Sequence, residues 1–231
     1  MRGMKILAID TATEACSAAL ALGGTVLARY EEPGRGHAER ILPMVDEILA
    51  EAGVPLTALD AIAFGRGPGA FTGVRIAAAV AQGLAFGAGL PVVPVSNLAA
   101  LAERAITEGA ADAALICIDA RMSEVYWCCY RATPSHGLEA VGEERVSAPA
   151  AVTLSHKVDG GRWLGAGTGF GVYPQIAERL SIDATRVMPR LLPRAQEIVR
   201  IAQREVAAGR TLDPAAAIPV YLRDKIVGTA P

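Results

Sequence analysis

An apolar run that closes on an acid occurs twice in this chain, and this repetition constrains its fold more than any other feature. Lys5-Ile-Leu-Ala-Ile9 ends at Asp10, and Ala114-Leu-Ile-Cys-Ile118 ends at Asp119, 109 positions later. Each copy leads into two more strand-like runs. In the first half, Cys16–Leu22 and Thr25–Tyr30 flank Gly23-Gly24, a hairpin signal. In the second, Glu124–Tyr130 puts Tyr126, Cys128 and Tyr130 on one face and Val125, Trp127 and Cys129 on the other. Leu138–Val146 reads as the strand after it. A helix, a strand and a helix then complete each half: His37–Ala52, Ala61–Gly65 and Val74–Phe86 in the first, Ala148–Ser155, Arg162–Gly165 and Val172–Leu180 in the second. Two β-β-β-α-β-α units predict an α/β protein of two lobes, 1–108 and 109–231.

The first lobe closes with a strand at Pro91–Val95 and a helix at Asn97–Thr107 that Ser96 can cap. The second carries a terminal helix, 194–208, whose Ile198, Ile201, Ala202 and Val206 face could pack back on the first lobe. Ile218–Asp224 reads as extended, and Gly228–Pro231 as a frayed tail.

Composition narrows the class. Aromatic residues are 5% of the 231, whereas 45 residues are alanine, so the apolar mass comes in small pieces that suit close backbone approach. The chain is too apolar to be disordered. Runs such as Ile76–Ala81 fall far short of the roughly 20 residues that span a bilayer. The N-terminal strand closes on Asp10 too soon for a secretory leader. A soluble, cytoplasmic protein without a membrane partner is expected. Net charge is −2, and the 19 arginines are scattered, so no basic run marks a nucleic-acid track. Cys16, Cys117, Cys128 and Cys129 lack zinc spacing and read as buried thiols; His37, His136 and His156 lie too far apart to pair on a metal.

Three stretches could carry chemistry. Asp10, beside Thr11 and Thr13 at a strand exit, either holds phosphate and a magnesium ion or satisfies a turn; Asp119 is its counterpart. Gly65-Arg-Gly-Pro-Gly-Ala-Phe-Thr-Gly73 precedes a helix N-terminus, so it either meets an anion or forms a tight connection. It lacks the lysine of a Walker A loop. Gly165-Ala-Gly-Thr-Gly169 offers bare backbone on which a ribose or base could lie. On the helix after Gly73, the small residues Gly73, Ala77, Ala78, Ala81 and Ala85 form a close-approach face, turned either to its own sheet or to another chain.

The duplicated unit resembles the ASKHA group of actin, sugar kinases and heat-shock ATPases. In detail, Ile6-Leu-Ala-Ile-Asp-Thr-Ala-Thr13, the loop Gly65–Ile76, Ala81-Gln-Gly-Leu84, Ile118-Asp-Ala-Arg-Met122, Glu124-Val-Tyr-Trp127 and Pro219-Val-Tyr-Leu-Arg223 resemble the bacterial TsaB (YeaZ) family over essentially the whole chain. That resemblance implies a non-catalytic subunit in the synthesis of threonylcarbamoyladenosine next to the tRNA anticodon. Its partners would be the catalytic subunit TsaD, the ATPase TsaE through the complex, a second copy of itself when TsaD is absent, and tRNA indirectly. Carried over by position, the partner surface is helices 37–52 and 73–87, with Arg40, Ile41, Met44, Val45, Ile48, Phe71, Val74, Arg75 and Ala78. Asp10, Thr11, Gly67, Asp119, Arg121 and Gly167 are the nucleotide or phosphate candidates. No cofactor is required on this reading, and ATP, ADP or magnesium is weakly supported. The TsaD-type metal site needs two histidines four apart, and here His37 is followed by Ile41 in the second place. Asp119 is followed by Ala120 and Arg121 rather than by glycine. The alternative is a free-standing ASKHA ATPase or phosphotransferase using Asp10 and Asp119.

Overall fold

The computed structural model describes residues 3–133, 137–155 and 162–223. His136, His156, the head of the turn at Pro134, Asp224 and the 228–231 tail lie outside them.

Strands β1 (Lys5–Asp10), β2 (Cys16–Leu22), β3 (Thr25–Glu31), β4 (Ala61–Gly65) and β5 (Val92–Val95) form one sheet in the order β3-β2-β1-β4-β5. Strands β6 (Ala113–Asp119), β7 (Val125–Thr133), β8 (Gly137–Ala140), β10 (Trp163–Ala166) and β11 (Val187–Met188) form the other, ordered β11-β10-β6-β7-β8, with β9 (Arg145–Ser147) paired to β7. The two sheets are the same design. The acid-ended strand is central in each. It runs antiparallel to the strand after it and parallel to the strand reached through the crossover. This is the duplicated α/β, ASKHA-like architecture that the two acids predict.

Helix α1 (His37–Ala52) places Ile41, Met44, Val45 and Ile48 one helical turn apart, and all four are buried against Leu7, Ile9 and Leu20 of the first sheet. Helix α2 (Phe71–Ala88) lies beside it, with Ala77, Ala78, Ala81 and Ala85 against the same sheet face. Small side chains there bring α2 close to the strands. The opposite face of that sheet, Ile6, Ala8, Ala61 and Ala63, is covered by α6 (Ala195–Ala207) through Ala195, Ile198, Val199 and Ala202. Helix α3 (Asn97–Glu108) instead covers the second sheet, through Leu98, Leu101, Ala102 and Ala105 on Ile116, Ile118 and Tyr130. The two halves therefore exchange their last helices. Ser96 caps α3 by accepting from the Ala99 amide at 3.2 Å. Tyr130 and Cys128 face α3, whereas Val125, Trp127 and Cys129 face the opposite cluster with Phe170 and Ile176, as the alternation predicts.

Several boundaries differ from the sequence reading. Helix α2 begins at Phe71 rather than Val74. The expected strand Leu138–Val146 is two strands, parted where Gly142 adopts φ 112. The expected helix Ala148–Ser155 is one 3-10 turn, Pro149–Ala151, after which Val152 is buried in the core and Leu154 packs against it. Val172–Leu180 is two short helices, α4 (Thr168–Val172) and α5 (Gln175–Arg179), interrupted at Pro174. The segment from Ile218 to Arg223 is not a regular strand; it crosses the glycine loop, where the Val220 amide donates to the Arg66 carbonyl at 2.8 Å.

Candidate functional site

The C-terminal ends of β1 and β6 open on a cleft of about 510 Å³, lined by Thr11–Glu14, Gly34–Glu39, Thr72 and Gly73, Asp119, Arg121 and Thr168. Such crevices are where open α/β sheets take ligands. In this one the named acids are largely spoken for.

Asp10 is fully buried and does not line the cleft. Its Oδ1 accepts from Asn97 Nδ2 at 2.8 Å and from the Ala12 amide at 3.2 Å, and its Oδ2 has no partner among the described residues. Burial pushes its carboxyl up to about 7, against the opposing pull of those hydrogen bonds. A carboxylate sealed in this way has no open path to a magnesium ion. Asn97 also accepts from the Gly67 amide at 2.8 Å, so one amide side chain joins the end of β1 to the glycine loop.

The loop's glycines sit where the backbone makes close contacts. A methyl group at Gly65 would collide with the Asp10 carboxylate, at Gly69 with the Ala12 carbonyl and at Gly73 with the Thr11 carbonyl. The Thr11 hydroxyl donates to the Gly73 carbonyl at 2.7 Å, and the Ala70 amide donates to the Ala12 carbonyl at 2.7 Å. Gly67 is covered by the Val220 carbonyl. Gly167, at φ 109, is pressed against the Cys117 carbonyl; its neighbour Thr168 reaches the cleft instead. Asp10, Gly67 and Gly167, three of the nucleotide or phosphate candidates, are buried at close-packed positions.

Asp119 and Arg121 do reach the cleft, but they engage each other. Asp119 Oδ1 accepts from the Arg121 amide at 3.1 Å, and Oδ2 takes Arg121 Nη1 at 3.0 Å. Glu14 lies 3.7 Å from the same guanidinium. His37 Nε2 sits 3.0 Å from the Thr13 carbonyl. Among the described residues no three His, Cys, Asp or Glu side chains gather at one point. The donor set does not fit a nucleotide-bound magnesium ion held by Asp10 and Asp119, and no chemical step is assigned through one.

The partner-surface candidates divide. Ile41, Met44, Val45, Ile48, Val74 and Ala78 are core residues and cannot touch another chain while the fold holds. Their helical stripe is consumed by the protein's own sheet. Arg40 lies at the surface in an ion pair with Glu31 at 2.6 Å. Phe71 and Arg75 are exposed at the start of α2. The outward faces of α1 and α2 carry Leu42, Ala79, Gly83 and Phe86, the last 60% exposed.

Comparison with known proteins adds a family to this geometry. Residues 26–229 match the TsaD family, tRNA N6-adenosine threonylcarbamoyltransferase. The chain is 45% identical over 226 residues to the tRNA threonylcarbamoyladenosine biosynthesis protein TsaB of Escherichia coli K12, covering 96% of each chain. It is 40% identical over 234 residues to the protein of the same name from Haemophilus influenzae, covering 98% of this chain and 96% of the relative. The solved structure of YeaZ from Pseudomonas aeruginosa superposes with a TM-score of 0.86 at 46% identity, over 95% of this chain and 100% of that one. The chain belongs to the TsaB (YeaZ) family.

Sequence reasoning missed several residues that hold this member of the family together. Glu144 joins three elements, accepting from Tyr130 at 2.9 Å, pairing with Arg66 at 3.1 Å and taking the Ser96 hydroxyl. Arg223 donates to the Ala120 carbonyl at 3.1 Å and pairs with Glu124. Asn97 follows a capping serine and so reads as a helix start. Its other role depends on Asp10 lying beside it, and only the fold supplies that.

Proposed function

We propose that this chain is a non-catalytic subunit of the cytoplasmic assembly that transfers threonylcarbamoyl to N6 of the tRNA adenosine next to the anticodon. It acts by binding the catalytic subunit, TsaD, through the outward faces of α1 and α2. TsaE joins through that complex, and a second copy of this chain occupies the same faces when TsaD is absent. The relatives named for threonylcarbamoyladenosine biosynthesis support the pathway. The observation that carries the non-catalytic reading is the condition of the two acids: Asp10 is sealed under Asn97 and Gly65, and Asp119 is bonded to Arg121. The partner surface is supported by what α1 and α2 leave uncovered. A side chain added at Gly83 would meet none of the described residues within 4 Å, although a mid-helix glycine costs about 1 kcal/mol relative to alanine. An exposed glycine at that cost suits the close approach of another helix.

The test is gel filtration of the chain with its TsaD subunit. Gly83→Arg, which has free space in the monomer, should retain its melting temperature and lose the complex. A stable complex with Gly83→Arg would remove this face from the interface.

A further inference from the structure

A second pocket, of about 200 Å³, meets the cleft at Asp119 and Arg121. Its walls are Phe71, Tyr126 and Tyr221, three of only eleven aromatic residues in the whole chain. Phe71 is 47% exposed and Tyr221 41%, with ring centroids 5.9 Å apart. Arg75 lays its guanidinium 3.3 Å from the Phe71 centroid and 5.2 Å from that of Tyr221. It has no ion-pair partner among the described residues, and both aromatic rings lie against it. Arg121 and Arg223 complete the lining.

The β6–β7 turn beside this pocket is strained. Arg121, Met122 and Ser123 have φ of 61, 54 and 59, three consecutive non-glycine residues in the left-handed region. Each costs about 1–2 kcal/mol there. The turn is held by the Asp119 carboxylate on the Arg121 amide and by Arg223 on the Ala120 carbonyl and Glu124. It presents Arg121 and Met122, the latter 72% exposed, at the pocket's edge. Strain of this kind persists where a surface must keep one shape.

We propose that this pocket binds one unpaired base of an RNA strand. Single-stranded RNA is read by stacking bases on aromatic rings and arginine planes, with hydrogen bonds to the base edges. All these elements are present. Tyr221, Tyr126 and Phe71 supply aromatic stacking surfaces, with Arg75 stacked on Phe71 behind them. The Asp119 carboxylate, with Arg121 on two and Tyr173 on one of about four acceptor positions, can still take an exocyclic amino group. Arg121 and Arg223 lie where a flanking phosphate would follow. One base held by stacking needs no basic track, which agrees with the scattered arginines and the net charge of −2. A pocket this small excludes a folded peptide segment but admits a single ring system. Phe71 and Arg75 are also partner-surface candidates, so the variants below are read for TsaD binding as well as for RNA; Gly83, which carries the test of the partner face, lies outside the pocket.

The test titrates the full chain, up to about 1 mM, into a fluorescein-labelled oligoadenylate of about ten nucleotides and reads anisotropy, with AMP as a competitor. Binding should weaken about fivefold or more in Tyr221→Ala and in Phe71→Ala, since stacking accounts for at least that much per base. Tyr221→Phe, which keeps the ring, should stay within about twofold of wild type. Both side chains are more than 40% exposed, so melting temperatures should hold. The proposal is overturned if the wild-type chain binds no oligoadenylate or if the two alanine variants bind as wild type does. It is also overturned if AMP binds and oligoadenylate does not, which would make the ligand a free nucleotide. If the variants lose the complex with the TsaD subunit while RNA binding is unchanged, the pocket is a protein contact and the proposal falls.

Discussion

Replacing Asp10 with asparagine should make the protein's stability less dependent on pH, by an amount that the structure sets. Asp10 is fully buried, one of its oxygens has no partner among the described residues, and burial lifts its carboxyl from 3.8 to about 7. The folded state therefore holds this proton at pH values where the unfolded chain has released it. The resulting stabilisation is complete below pH 3.8 and lost as pH rises through 7. Between about pH 5 and pH 7 the loss is about 3 kcal/mol, roughly two pH units at about 1.36 kcal/mol each. The amide of the Asp10→Asn variant would keep the shape and carry no charge at any pH. The stability difference between Asp10→Asn and wild type should then move in the variant's favour by about 3 kcal/mol from about pH 5 to pH 8, most of it by pH 7. Urea unfolding at each pH measures it. Any constant cost of placing the amide beside Asn97 cancels in the comparison, as do the other carboxylates, which both proteins share. A difference that is flat in pH would refute the reasoning, since it would mean that Asp10 is ionised and solvated in the folded protein.

Other consequences follow from the same packing. Gly73→Ala drives a methyl into the Thr11 carbonyl and should destabilise by more than about 2 kcal/mol, whereas Gly83→Ala, in open space on the same helix, should stabilise by up to about 1 kcal/mol; thermal melts of the pair distinguish contact from helix propensity. Ile198→Ala, in the fully buried seam between α6 and the first sheet, should cost about 2–5 kcal/mol by urea unfolding. Purified chain given magnesium and ATP should hydrolyse none above a blank in a phosphate-release assay, because Asp10 and Asp119 are engaged within the protein.

The repeated acid-ended strand made the sheets legible, because a β-β-β-α-β run with short connections leaves few ways to arrange five strands. The terminal helix was legible too: its apolar face needed a sheet, and the first sheet offered one. The site was harder. The stripe Ile41, Met44, Val45 and Ile48 has the same spacing whether it meets its own sheet or another chain, so the sequence could not tell core from interface. Glycines at 65, 69 and 73 resemble a phosphate loop until Asp10, Ala12 and Thr11 are seen against them. The left-handed run Arg121–Ser123 contains no glycine or asparagine to announce it, and it depends on Arg223, about a hundred residues away in sequence. The expected helix Ala148–Ser155 is one 3-10 turn, because Val152 and Leu154 are the apolar anchors of that stretch and they do not make a helical stripe.

The central claim is that this chain works by binding and not by chemistry of its own. Reconstituted tRNA modification with the TsaD subunit tests it most directly, using wild type, an Asp10→Asn/Asp119→Asn double variant and Gly83→Arg. The account predicts that the double variant supports modification at a rate close to wild type and that Gly83→Arg, though folded, does not. Loss of modification in a double variant that still forms the complex would contradict it.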